Sequence, residues 1–141
     1  MMNKVAENIM KNKELMTVFR ENKVSFVYLF GSQASGNSGK DSDVDIAVML
    51  PFEMKKEERF DSRLKLMGKI SEILKKKVDI VVLNDIRSLY FKYIIIKEGK
   101  IIYKESDLSP AEFESKALGI YFDFRPFLEN YNKDYVKRIL Q

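Results

Sequence analysis

A small mixed β-sheet flanked by helices, an α/β (α+β) fold, is predicted by three observations. Short apolar runs of strand length alternate with longer segments whose apolar residues recur at helical spacing. The strand-length runs are almost continuously apolar, as strands buried on both faces are. The chain has 141 residues and 45% hydrophobic content, which suits one core, and shows no internal repeat, low-complexity tract or linker.

Each element can be justified in order. Val5, Ile9, Leu15, Met16 and Phe19 recur near helical spacing, so residues 3–21 read as an amphipathic helix. Val24 to Phe30 reads as a strand buried on both faces, and Gly31 to Asp41, rich in Gly, Ser, Asn and Asp, as a loop. Val44 to Leu50 is a second strand, closed by Pro51. Phe60, Leu64, Met67, Ile70 and Leu74 trace one face of a long helix. Val78 to Leu83 is the third strand; Ile86, Leu89, Tyr90, Tyr93 and Ile94 then fit another helix. Ile101-Ile102-Tyr103 reads as an edge strand. Ser109-Pro110-Ala111-Glu112 reads as a helix start, with Ser capping, Pro first and Glu reaching back. The last helix runs through Phe113, Ala117, Tyr121, Phe124 and Leu128, with Pro126 kinking it. Tyr121, Phe122, Phe124, Phe127, Leu128 and Tyr131 spread over more than one helix face, so this helix is expected to meet a partner.

Composition restricts the chemistry. No apolar run approaches the roughly 18 residues of a membrane span, and the N-terminus has no signal-peptide core, so a cytoplasmic protein away from membranes is expected. The absence of cysteine excludes disulfides and thiolate zinc sites. The absence of histidine excludes imidazole as base, nucleophile or ligand. Chemistry here must run on carboxylates, hydroxyls, lysines and bound metal. The net charge of +4 comes from dispersed lysines, with clusters only at Lys55-Lys56 and Lys75-Lys76-Lys77. That reads as solvated helix surface, so direct nucleic-acid binding is not expected.

One ordered pattern stands out. Phe30-Gly31-Ser32 is followed, ten residues later, by Asp43-Val44-Asp45, and Val78-Asp79-Ile80 supplies a further acid. Asp43 and Asp45 alternate along a strand, so they project from one face, roughly 7 Å apart at the backbone. Such a pair repels unless a cation lies between. Mg²⁺, which takes hard oxygen ligands and substrate phosphates, suits it. If the third strand lies beside the second, Asp79 joins them, an arrangement that supports two metal ions about 4 Å apart. Gly31 allows close approach of backbone to phosphate, and the Ser32 hydroxyl adds a donor. A calcium loop beginning at Asp41 fails, because Ile46 replaces the required glycine and Phe52 the bidentate Glu.

This pattern resembles the DNA polymerase β-like nucleotidyltransferase superfamily. The short chain and the tail Tyr121-Phe122-Asp123-Phe124-Arg125 resemble its minimal branch, the MntA-type antitoxins paired with HEPN ribonuclease toxins. The resemblance implies one nucleotidyltransferase domain over residues 1–141, with a catalytic core at about 5–103 and a C-terminal helix at about 109–140. It implies ATP as substrate, Mg²⁺ as cofactor, and AMP transfer to a tyrosine of a HEPN partner. Carried over by residue, Gly31 and Ser32 hold the triphosphate, Asp43 and Asp45 bind metal, and Asp79 is metal ligand or base. Many relatives carry Arg soon after the Gly-Ser pair, where Gln33 and Ser35 stand here. Charge neutralisation would then lean on metal and lysines, with Lys40 a candidate. Two other readings are an antitoxin that acts by contact alone and a nucleotidyltransferase for a small molecule or RNA end.

Overall fold

A computed structural model describes residues 4–31, 43–105 and 110–140, with the side chains of the last segment described to Leu128. Ser32, Gln33, Ser35, Lys40 and Asp41 lie outside the described residues, as do Ser109 and the side chain of Tyr131. Helices α1 (Lys4–Met10) and α2 (Lys13–Glu21) precede strand β1 (Phe26–Phe30). Strand β2 (Val44–Met49), the long helix α3 (Lys56–Leu74) and strand β3 (Val78–Val82) form a crossover unit. A 3₁₀ turn at Leu83–Asp85 leads to α4 (Leu89–Glu98), strand β4 (Lys100–Lys104) and α5 (Ala111–Leu140).

The predicted mixed sheet with helices around it is what forms. Its strand order is β3-β2-β1-β4, with β1 antiparallel to both neighbours and β2 parallel to β3. The segment expected as one helix over 3–21 is two, because the Asn12 side chain accepts a hydrogen bond from the Leu15 amide at 3.0 Å and starts α2 afresh. The helix expected from Ile86 begins instead at Leu89, where the Ser88 hydroxyl accepts from the Phe91 amide at 3.1 Å. The Pro110 carbonyl accepts the first hydrogen bond of α5, from the Glu114 amide at 2.8 Å, so Pro110 stands one place before the first helical residue. No helix among the described residues is long and apolar enough to cross a membrane.

Two apolar layers hold the sheet. On one face Val27, Leu29, Ile46 and Ile80 pack under the helices α1–α3, with Phe19 and Leu66 fully buried among them. On the other, Phe26, Tyr28 and Ala47 lie beneath Ile95 of α4 and Phe113 of α5. At one end of the sheet Asn84 binds both main-chain groups of Leu50, donating to its carbonyl at 2.9 Å and accepting from its amide at 3.0 Å. That pair of hydrogen bonds ties the turn after β3 to the residue that follows β2.

The buried Tyr28 hydroxyl donates to the Glu114 carboxylate, pinning α5 to the central strand. Burial, then this bond and the Glu114 charge, push the hydroxyl well above its ordinary range, so it stays a donor. Tyr28→Phe leaves a half-buried carboxylate without its donor and is expected to lower stability by about 1–2 kcal/mol in urea unfolding. An unchanged midpoint would show that the bond adds nothing to the docking of α5.

Candidate active site

β2 and β3 bring the acids together through their register. Val44 pairs with Val78, Asp45 with Asp79, and Ile46 with Ile80. Val44, Ile46, Val78 and Ile80 all enter the core under α1–α3, which turns Asp45 and Asp79 to the opposite face, side by side on adjacent parallel strands. Asp43 precedes β2 by one residue and shares the parity of Asp45. The three predicted acids therefore lie at one end of one sheet face.

Gly31 closes this end from β1. It follows Phe30, the antiparallel partner of Asp45, and has φ +75°, a conformation that side chains disfavour. A Cβ there would overlap the Asp45 carboxylate, so the backbone passes directly against the acid. Phe30 rests on Phe91 of α4, ring centroids 5.8 Å apart, which gives the end of β1 an apolar seat.

Charge is unevenly compensated across the cluster. The Arg63 guanidinium lies 3.8 Å from Asp79, and the Lys77 ammonium 4.0 Å from Asp43. Asp45, between them, has no ion pair among the described residues. Burial, then the negative charges of Asp79 and Asp43, push its carboxyl above the ordinary value. Among the described residues no three acidic side chains are drawn together closely enough to hold a metal ion as they stand. The donor set itself fits a hard divalent cation: three carboxylates whose mutual repulsion a cation would relieve.

Arg63 and Lys77 escaped the sequence reading. Lys77 had a signal, since it stands two residues before Asp79 and so on its side of the chain, but the Lys75–Lys77 run reads as solvated surface. Arg63 had none, because nothing in a helical pattern tells which strand edge a side chain will reach.

Comparison with known proteins follows the same lines. The family described as polymerase beta, nucleotidyltransferase, matches residues 13–108, the span from α2 to just beyond β4. The chain belongs to the polymerase β nucleotidyltransferase family. Among its relatives is the protein adenylyltransferase MntA of Aphanizomenon flos-aquae, 28% identical over 106 aligned positions, with 67% of each chain covered. A Methanocaldococcus jannaschii chain, provisionally named a protein adenylyltransferase, is 31% identical over 102 residues, 72% of this chain and 96% of that one. The fold is shared with the crystal structure of a toxin–antitoxin with AMP-PNP, at TM-score 0.69 and 22% identity over 93% of this chain and 99% of that one. It is likewise shared with a tri-AMPylated Shewanella oneidensis HEPN toxin in complex with MNT antitoxin, at TM-score 0.64 and 22% identity, covering 99% and 100% of the two chains. The minimal nucleotidyltransferase resemblance drawn from the sequence is thereby borne out.

Proposed function

We propose that this chain is an antitoxin-type protein adenylyltransferase that transfers AMP from ATP to a tyrosine hydroxyl of a cognate HEPN-domain ribonuclease toxin. The observation that carries the reading is the direct pairing of Asp45 with Asp79 beside Gly31, in a chain of the polymerase β nucleotidyltransferase family. The relatives named as protein adenylyltransferases support protein as the acceptor class, and the AMPylated HEPN toxin with its MNT antitoxin supports the partner.

In this reading Gly31 lets the triphosphate approach the backbone, and Ser32 donates its hydroxyl to a phosphate oxygen. Mg²⁺ held by Asp43, Asp45 and Asp79 would neutralise the phosphates and polarise the α-phosphorus. Asp79 takes the proton from the acceptor hydroxyl, a task no histidine in this chain can perform. The tyrosine oxygen then forms a bond to the α-phosphorus as the bond to the β-phosphate bridging oxygen breaks, and pyrophosphate leaves with that electron pair. Radiolabelled ATP, Mg²⁺ and a cognate HEPN-domain toxin test the proposal: label on a toxin tyrosine is expected. Label on RNA or a small molecule, or silencing of the toxin without ATP, would replace it.

ATP binding is expected to need a divalent cation, because Asp43, Asp45 and Asp79 present negative charge to an anionic substrate. Calorimetric titration in EDTA should show ATP binding weakened by about tenfold or more relative to Mg²⁺ buffer. Equal affinity in the two buffers would remove the carboxylate metal site.

A further inference from the structure

Arg63 reaches the acid cluster from the wrong side of the sheet. It belongs to α3, which covers the face opposite the acids, and β3 is an edge strand. The Lys77 carbonyl turns inward, accepting from the Val44 amide at 3.0 Å. Main-chain groups alternate in direction along a parallel strand, so the Ile80 carbonyl points to the free edge. Arg63 Nε donates to that carbonyl at 2.6 Å, which fixes the guanidinium on the outer side of β3 independently of any acid. From this anchor its Nη2 lies 3.8 Å from Asp79 Oδ1, while Asp45 stands across the strand on the inner side.

We propose that Arg63 is a positioning residue, a built-in counter-ion that holds the Asp79 carboxylate toward the sheet edge and away from Asp45. A divalent cation completing the site has to draw Asp79 off Arg63, so this pairing sets how tightly the empty protein takes up metal. The guanidinium is well suited to the task because its planar fork serves the carbonyl and the carboxylate together, which a lysine ammonium would not. The inference rests on the carboxylate metal site of the proposed function.

The test is Mn²⁺ affinity of the nucleotide-free protein, read from the electron paramagnetic resonance of unbound Mn²⁺, for wild type, Arg63→Gln, Asp79→Asn and the double variant. Arg63→Gln is expected to bind Mn²⁺ about threefold more tightly, the scale of one partly exposed ion pair. The gain should shrink at high salt and vanish in the Asp79→Asn background. Arg63→Met, which keeps an aliphatic stem, should give the same gain and guards against a folding defect in the first variant. Unchanged or weaker binding in both Arg63 variants would overturn the proposal. So would an equal gain without Asp79, because the charge would then act through space and not by holding that carboxylate. Absence of Mn²⁺ binding in wild type would instead overturn the metal site, and the role of Arg63 with it.

Discussion

Replacing Asp79 with Asn is expected to lower AMP transfer by about 10²–10⁴-fold, the usual cost of a lost general base. The substitution keeps the size of the side chain and its place opposite Asp45, so the sheet should stay intact. Asp79 is half exposed and already faces Arg63, whereas Asp45 lies against Gly31 and Asp43 precedes Asp45 by two residues. MgATP binding should therefore weaken less in Asp79→Asn than in Asp43→Asn. Single-turnover transfer and calorimetry on the two variants separate the roles. Near-normal transfer by Asp79→Asn would take it out of the chemistry and leave the acceptor hydroxyl needing another base.

The second large effect is expected on α5. Tyr121 turns inward, only 8% exposed, and stacks on Tyr93 of α4 with ring centroids 4.2 Å apart and planes 10° from parallel. Phe122, Phe124 and Phe127 stay in solvent at 51%, 51% and 70% exposure. Aromatic side chains left in water in such a group are the anchors that protein interfaces favour. Replacing Phe122 and Phe127 together with Asp should weaken association with the proposed HEPN partner by about 100-fold or more, measured by calorimetry. The melting temperature should barely change. Tyr121→Asp makes the contrast, since it buries a charge and should unfold the docking of α5 itself. If the Phe122 and Phe127 pair also unfolds the chain, these rings belong to the core and the interface lies elsewhere.

The sequence made the strands plain because they are buried on both faces. Val24–Phe30 and Val44–Leu50 leave little room for polar residues, and an Asp breaking such a run is conspicuous for that reason. Helix breaks were harder to see. Asn12 looks like any polar residue on an amphipathic helix until its side chain is found capping the next one. The face on which Asp43, Asp45 and Asp79 lie could be read from alternation along each strand. That Asp45 and Asp79 stand exactly opposite one another could not, because pairing and register depend on how α3 carries the chain across the sheet. Arg63 is the extreme case. Its role depends on which strand forms the edge, a property of the assembled sheet that no local pattern encodes.

The position of β3 at an edge has a consequence for when the site exists at all. A strand with one neighbour opens more readily than one with two, and local opening of β3 removes Asp79 from Asp45 without unfolding the rest. In the proposed function a cation shared by the two carboxylates would bind only the closed form and so oppose that opening. Amide hydrogen exchange along Val78–Val82 becomes a gauge of occupancy, slowing as the site fills, while β1 at the centre of the sheet keeps its own rate. In the proposed metal site the readiness of one peripheral strand to fray and the readiness of the acids to take up an ion become a single equilibrium.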